Sequence, residues 1–600
     1  MRPFLRTPVR ALALAVAALA WLGPARAAAQ PATAASLHAE VAALVDATTS
    51  QWAGMVTPTG VFQNPFAADV AAGHHSFVPP MLAYAVHRAG ERTGDARLVA
   101  AAERVWPQSV DPVKASSFDM LGAVYAYGTL ALSAERRDQL ARYTAAYGIP
   151  ITGRRCILRP NCWGNLKLVD ALAVLSITGA RISSSDPAAR LGNPAAAHAA
   201  AVHIVNKRIG QVADHGLRAV IGHASVRGTV LSDPPADPLA YHALTAFMLN
   251  EAVAQLGPAA SRSARRAARE TMDALSVLIS PDGDASYLGR GQGQTWVPAL
   301  AAAALAGGAR DVAATQPVRA GRYLAGAQRA LHRLAALHAS PQGLQVVPGA
   351  LTRTTTAGID AYAHTVAYNG LALFGLTRAL DALAAIPATP IGPLPADGRL
   401  AVVDERASGL AVVGNGTIWL AVHKTATDAN DLRHDFGALA LKQRTPAGWI
   451  DLLAPRPQTK ITPDSSGPAL MHLGRPLKPT GYAIHAHGRT IIVNGTYRAN
   501  NRIVRRAQFR WRLTPRGARL RVAGAHRGDR FRVLAFTPAG TGGATRRALI
   551  TANARWRFDR RIRVRRLPGY HSGPVENLDA LEARFTAPKS GRFVVAIGSS

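Results

Sequence analysis

The stretch Ile386-Pro387-Ala388-Thr389-Pro390-Ile391-Gly392-Pro393-Leu394-Pro395 separates two regions of different composition. Its prolines cannot continue a helix, because each one lacks a backbone donor and has a fixed φ angle. We therefore predict a proline-rich linker over 386–398. A helical domain over 28–385 is expected before it, and a β-rich domain over 399–600 after it.

The region before the linker predicts helices. Its alanine- and leucine-rich stretches have apolar positions three and four residues apart, as in an amphipathic helix. These stretches run over 78–93, 166–178, 239–256, 263–278, 295–306, 320–338 and 361–385. Many alanine-rich helices with irregular loops favour antiparallel helix pairs arranged in a ring or layered bundle.

The region after the linker predicts an antiparallel β-sandwich, because short alternating runs are separated by Gly, Asn and Pro. Several runs carry arginine at every second position, as at 510 and 512, 519 and 521, 530 and 532, 555 and 557, and 563 and 565. Side chains alternate between the faces of a strand, so each pair points the same way. Such a face is either an ordinary solvated covering or a surface that binds polyanions.

The first 27 residues predict a secretory signal peptide. Arg2, Arg6 and Arg10 precede an apolar run over 11–22, and Ala25-Arg26-Ala27 supplies small residues for cleavage. The apolar run is shorter than the roughly 20 residues of a membrane span. We expect a secreted or periplasmic protein with no membrane span after signal removal.

Charge and cysteine content narrow the class of partner. The formal net charge of +33 attracts polyanions. For an exported protein an anionic polysaccharide is the expected partner, and the chain has no nucleic-acid-binding module that we recognise. The two cysteines, Cys156 and Cys162, predict a disulfide in an oxidising compartment. They are too few for a closed zinc site, and no metal is expected.

Polar residues gather at loops and helix starts rather than along the helices. The segment over 282–296 combines glycines with Tyr287, Arg290, Gln292, Gln294 and Trp296, which offer hydrogen bonds and a stacking surface. Binding residues concentrate on loops held by a rigid scaffold. The other polar stretches run over 73–77, 161–167, 241–242, 362–369 and 423–437.

Two of these stretches carry a resemblance to a known group. The Asn- and Trp-bearing segment over 161–165 and the Asp-Gly-plus-aromatic loop over 282–287 occur in the order seen in certain polysaccharide lyases. Those lyases, of the hyaluronate/chondroitin, alginate and heparinase-like families, have an incomplete α/α toroid followed by an antiparallel β-sandwich. The histidine that usually follows their Asp-Gly is missing here, where Arg290 and Gln292 stand.

The resemblance implies β-elimination without metal or cofactor. A base removes the proton α to a uronate carboxylate, and the 4-oxygen leaves with a proton. Asn165 would neutralise the carboxylate, Tyr287 would act as base or acid, and Arg290 would lower the tyrosine pKa and bind substrate. His242 or His223 would be the second proton-transfer group. The predicted substrate-binding residues are Trp163, Tyr241, Gln292, Gln294, Trp296, His75, Tyr362 and His434.

Other interpretations remain open at this point. Asn165 could simply cap a helix, and Tyr241 with His242 could be an ordinary buried pair at a helix start. A glycoside hydrolase on the same helical scaffold would use two carboxylic acids from among Asp119, Asp170, Asp282, Asp284 and Asp360. A non-catalytic binder of anionic glycans would rely on the charge and the arginine-bearing strands.

Overall fold

The computed structural model of the 600-residue chain describes most of both predicted domains. The described residues are 32–64, 79–109, 117–130, 133–147, 156–159, 162, 164–180, 193–210, 212, 215–231, 239, 241–287, 291, 293–341, 343–349, 365–404, 409–423, 437–456, 469–472, 475–476, 478–499, 502–571 and 575–599. The predicted signal peptide lies outside them. None of the described helices is both long and apolar enough to cross a membrane.

The described part of the chain before the linker contains twelve α-helices. They are α1 Ala34–Gly54, α2 Pro79–Thr93, α3 Ala96–Ser109, α4 Ser117–Tyr127, α5 Ala134–Tyr147, α6 Gly164–Gly179, α7 Pro194–Ile209, α8 His242–Leu256, α9 Arg262–Leu278, α10 Trp296–Val312, α11 Pro317–His338 and α12 Thr365–Ala384. Seven of them correspond to the seven predicted apolar stretches, with limits that differ by at most six residues, because that pattern is local. The other five, α1, α3, α4, α5 and α7, have no counterpart among those stretches.

The even-numbered helices form an inner ring and the odd-numbered helices surround it. Each inner helix packs against the next, and α12 packs against α2, so the ring closes. Small residues permit neighbouring inner helices to approach closely. A Cβ on Gly122 of α4 would lie 2.6 Å from the Met81 backbone nitrogen of α2. Each outer helix runs antiparallel to the inner helix before it and brings the chain back to the starting end. All inner helices therefore begin at the same end of the ring.

The strands of the described residues pair antiparallel throughout. They are β1 His215–Ile221, β2 Ala224–Val230, β3 Ala339–Ser340, β4 Gly343–Leu344, β5 Arg399–Asp404, β6 Leu410–Asn415, β7 Ile418–His423, β8 Gly437–Thr445, β9 Gly448–Asp451, β10 Ala469–His472, β11 Arg475–Pro476, β12 Lys478–His487, β13 Thr490–Ala499, β14 Arg502–Thr514, β15 Gly517–Ala523, β16 Arg530–Pro538, β17 Gly543–Thr545, β18 Ala548–Ile550, β19 Ala554–Phe558, β20 Arg563–Tyr570, β21 Leu578–Thr586 and β22 Phe593–Ser599.

Three large sheets build the β region. Their strand orders are β2-β1-β5-β6-β7-β8-β9, β12-β13-β14-β15-β22-β19-β18-β17 and β11-β10-β16-β21-β20. The seven-stranded sheet has two buried faces: Trp419 and Ala421 pack with the helical core, while Leu420 and Val422 pack with the core of the other sheets. This sheet therefore lies between the helical ring and the eight-stranded sheet.

A hairpin from inside the helical region belongs to the seven-stranded sheet. Strands β1 and β2 precede α8, and β1 pairs with β5 from Arg218 opposite Val403 to Ile221 opposite Leu400. The expectation of a helical pattern throughout this region is wrong here. A seven-residue strand is too short for its alternation to stand out in an alanine-rich sequence.

The proline-rich linker is docked along the helices. Ala34 at the start of α1 donates its backbone N–H to the Thr389 oxygen at 2.8 Å, and Gly392 donates to the Gly321 oxygen of α11 at 2.9 Å. The predicted fold class, a helical toroid followed by antiparallel sheets, is confirmed, with an inner ring that is closed. The exact domain limits stay predictions.

Candidate functional site

Several predicted site residues meet at the rim, the end of the ring where the inner helices begin. Tyr241 immediately precedes α8, and its ring stacks on Trp296 at the start of α10, with centroids 5.2 Å and planes 22° apart. The Trp296 ring lies 6.3 Å from Tyr368 in the first turn of α12. The Trp296 Nε1–H donates to Gln294 Oε1 at 2.7 Å. Together with His242 these residues form the rim cluster.

His242 is the buried titratable group of the rim cluster. Its side chain is 0% exposed, and Nδ1 accepts a hydrogen bond from the Leu231 backbone N–H at 3.2 Å. This bond assigns the ring proton to Nε2, which has no hydrogen-bond partner among the described residues. Burial lowers the pKa of His242 to about 4. The neutral imidazole therefore offers a donor at Nε2 near neutral pH.

Asn165 lies in the first turn of α6, on the same rim, and is largely buried. The loop before it is held by the predicted disulfide, which is confirmed: Cys156 and Cys162 are bonded with 5.4 Å between their Cα atoms. The Asp170 carboxylate accepts from the Cys156 backbone N–H at 2.6 Å and from the Ser117 hydroxyl at 2.7 Å. Asp170 thus ties the disulfide loop to α4.

Tyr287 occupies a different environment from the rim cluster. Its hydroxyl donates to the Leu278 carbonyl at 3.0 Å, and its ring meets the Trp419 ring of β7 edge-on at 5.2 Å. Burial raises the pKa of Tyr287 well above its ordinary value, and the Asp284 charge raises it further. This position packs the ring against the seven-stranded sheet, and the proton-transfer role of Tyr287 stays a prediction.

The loop before Tyr287 forms a buried ion network with the seven-stranded sheet. The Lys442 ammonium lies 2.7 Å from Asp282, and the Arg333 guanidinium lies 2.7 Å from the same carboxylate. Arg456 lies 3.3 Å from Asp451 and 3.8 Å from Asp284. The network therefore balances three cations against three carboxylates.

The network holds Asp282 and Asp284 as carboxylates. Burial alone would raise the pKa of Asp282, but the charges of Lys442 and Arg333 outweigh it and hold that pKa well below its ordinary value. Arg456 also donates to the Tyr287 backbone oxygen at 3.0 Å. The described segment 282–287 is thereby anchored to the β region.

His223 lies apart from the rim cluster. It is exposed in the turn between β1 and β2, where the neighbouring Gly222 donates its N–H to the Arg399 oxygen at 2.8 Å. This hydrogen bond ties the turn to β5. Its predicted role in proton transfer stays a prediction.

Six other predicted site residues stay predictions. His75, Trp163, Arg290, Gln292, Tyr362 and His434 lie outside the described residues. The same holds for Asp360, one of the carboxylates considered for hydrolysis. Within the described ranges, no group of three or more His, Cys, Asp or Glu side chains is arranged to hold a metal ion.

A second polar group, at the opposite end of the ring, was missed from the sequence. Glu251 of α8 accepts from Arg378 Nε of α12 at 2.9 Å and from the Tyr125 hydroxyl of α4 at 3.3 Å. Burial and the Glu251 charge raise the pKa of Tyr125 well above its ordinary value. The aromatic rings of Phe247 and Phe374, with centroids 6.0 Å apart, lie inside the ring of inner helices. The only sequence signal is isolated polar residues inside apolar helices.

Comparison with known proteins gives distant likenesses. No family model and no curated protein matches the chain. A cellobiose 2-epimerase from Spirochaeta thermophila is 14% identical, with a TM-score of 0.38 over 57% of this chain and 96% of that one. An unsaturated glucuronyl hydrolase specific for heparin is 13% identical, with a TM-score of 0.36 over 58% and 96%. A 4-alpha-glucanotransferase from Thermococcus litoralis is 12% identical, with a TM-score of 0.26 over 51% and 50%. These three are carbohydrate-active enzymes, and at such identities the likeness concerns the fold alone.

Proposed function

We propose that this protein is a secreted polysaccharide lyase that cleaves a uronic-acid-containing polysaccharide by β-elimination at the rim. The observation that carries the proposal is the rim cluster, where the neutral His242 has a Nε2–H with no acceptor among the described residues. It stands beside the stacked pair Tyr241 and Trp296. The starts of the inner helices carry partial positive charge, which favours a bound carboxylate.

The chemistry requires stabilisation of a poor carbon acid. When a base takes the proton from C5 of the uronate, negative charge spreads onto the carboxylate, and donors aimed at that group lower the barrier. The proposed donors are the Nε2–H of His242 and the Asn165 amide of the neighbouring inner helix. Both side chains are buried, so the proposal requires the substrate carboxylate to enter the rim cluster to reach them. The C5 electron pair then forms the double bond to C4, the C4–oxygen bond breaks, and the leaving oxygen takes a proton.

We assign the proton transfer to Tyr241 in place of Tyr287. Tyr241 directly precedes His242 at the rim, whereas the Tyr287 hydroxyl is bonded to a backbone carbonyl beside the seven-stranded sheet. A tyrosine can serve as base in its ionised form and as acid in its neutral form. This assignment keeps the predicted type of residue and changes its position in the chain.

A matched pair of variants tests the assignment. The full-length exported protein is incubated at low salt with alginate, hyaluronate and heparin, and unsaturated uronide is followed by its ultraviolet absorbance. Tyr241→Phe keeps the stack on Trp296 and removes the hydroxyl, so turnover should fall by about 100-fold or more. Tyr287→Phe should keep turnover within a few-fold while lowering stability. The reverse pattern would refute the assignment.

The same assay separates the rival functions. New reducing ends without ultraviolet absorbance would indicate hydrolysis, which needs paired carboxylic acids. Two of the candidates for such a pair, Asp282 and Asp284, are engaged in the buried ion network. Tight binding without either product, unchanged in His242→Gln and Tyr241→Phe, would indicate a non-catalytic binder and would contradict the lyase proposal.

A further inference from the structure

The outer face of the eight-stranded sheet carries arginines in register. Arg512 of β14 lies directly opposite Arg519 of β15, and Arg510 lies opposite Arg521 on the same two strands. These side chains are exposed, while the alternate residues Trp511 and Leu520 point into the core. We call these four residues the arginine ladder.

One row of the ladder continues across six strands. Ala596 of β22 lies opposite both Arg519 and Arg557, so the row extends to β19 on one side. On the other side Arg512 lies opposite Thr490, which lies opposite His487 of β12. With about 4.8 Å between neighbouring strands, five steps make a row about 24 Å long.

The row ends at a basic cavity of about 460 Å³. The cavity is formed by the turns β1–β2 and β12–β13 and by β5, and the basic residues in its lining are Arg399, His487 and Arg489. None of the described residues that line it is acidic. The ladder and the cavity, joined through Thr490 and His487 of the same row, together form the basic track on this side of the protein.

The charge on this face is not compensated within the described structure. None of the eight strands of the sheet contains Asp or Glu. The four ladder arginines make no ion pair with a described residue. By contrast, Arg505 near the start of β14 is paired with Asp529 at 2.7 Å. Like charges placed directly opposite each other destabilise a sheet, so folding alone does not favour the ladder.

We infer that this track binds a linear anionic polysaccharide, at a place separate from the rim. Planar guanidinium groups bind carboxylates and sulfates through two parallel hydrogen bonds. Single-stranded nucleic acid usually requires exposed aromatic rings between the basic residues. Here Phe509, Trp511 and Trp556 are buried on the opposite side of their strands. The inference rests on the proposed function only for the choice of a uronate polymer as ligand.

The test removes two charges from the ladder and compares them with two removed elsewhere. Arg512→Gln/Arg519→Gln is compared with Arg262→Gln/Arg266→Gln, an exposed pair on α9, so that net charge falls equally. Binding of fluorescent alginate and heparin oligosaccharides is measured by anisotropy at several salt concentrations. The ladder variant should bind about tenfold more weakly at low salt. The slope of the logarithm of the binding constant against the logarithm of salt concentration should become shallower by about one to two, because two ion contacts are lost.

The stability and the turnover of the ladder variant are measured as controls. The ladder variant should melt no lower than wild type, because it loses like-charge pairs. Its turnover of short oligosaccharides at the rim should match wild type. Equal weakening in the α9 pair would overturn the inference, since overall charge would then explain binding. Single-stranded DNA that binds more tightly than either polysaccharide, with the same sensitivity to the ladder change, would overturn it as well. Ladder-dependent binding without turnover of any polymer would support the track and refute the lyase proposal.

Discussion

Replacing Lys442 with methionine should weaken the attachment of the seven-stranded sheet to the helical ring. The Lys442 side chain is 1% exposed, and its ammonium lies 2.7 Å from Asp282, 3.6 Å from Asp284 and 3.8 Å from Asp451. The change leaves three carboxylates facing two guanidiniums. Removing one partner of a buried ion pair costs about 3–5 kcal/mol, and methionine retains most of the lysine's apolar volume.

The loss can be measured as the shift of the first urea-unfolding transition, followed by circular dichroism and tryptophan fluorescence. Trp419 lies against Tyr287 at the interface and is a local probe of its opening. Arg444→Met is the matched control, because Arg444 is exposed two residues further along β8. Its effect should stay within about 0.5 kcal/mol.

A second variant tests the electrostatic cause. Adding Asp451→Asn to Lys442→Met removes one surplus negative charge and should recover part of the lost stability, which appears as a coupling energy in a double-mutant cycle. The reasoning would be refuted by a loss below about 1 kcal/mol for Lys442→Met. Equal losses for the Lys442 and Arg444 variants, or no recovery on adding Asp451→Asn, would refute it too.

Three further expectations concern stability. Burial lowers the pKa of His338 to about 4, so on acidification the unfolded chain takes up a proton at a higher pH than the folded protein does. The free energy of unfolding should therefore decrease by up to about 3 kcal/mol as the pH falls from about 6.5 to 4. His338→Gln should flatten this pH dependence, measured by urea titrations at several pH values. Gly283→Ala should cost about 2 kcal/mol or more, because φ is +84° and the new Cβ would collide with a carbonyl of α11. Gly448→Ala, at positive φ but in open space, should cost about half as much, and equal melting shifts would contradict the clash. Replacing Cys156 and Cys162 with serine should cost about 2 kcal/mol for a loop of this length, and a reductant should then cause no further shift.

The helices and strands were largely predictable because their patterns are local. The apolar period predicted helices over 263–278 and 320–338, where the structure has Arg262–Leu278 and Pro317–His338. Alternation likewise predicted a strand through Arg510 and Arg512, which lie inside β14. The β1–β2 hairpin was missed because its identity as a strand depends on pairing with β5, about 180 residues later in the chain.

The candidate site was predictable only in part. Glycine, aromatic and amide residues identified the loops and helix starts that lead to the rim, but not the direction in which each side chain points. Tyr241 and Tyr287 both precede inner helices, yet only Tyr241 stacks on Trp296. That difference depends on packing against β7, which the sequence around Tyr287 does not encode.

The sequence by itself determined that a helical region precedes most of the strands and that Cys156 pairs with Cys162, because each depends on residues close together in the chain. Only the tertiary structure decided the closure of the inner ring, the ion pair between Asp282 and Lys442, and the register that places Arg512 opposite Arg519. The ion pair joins residues 160 positions apart. Contacts at such separation depend on how whole layers pack, and no local pattern specifies them.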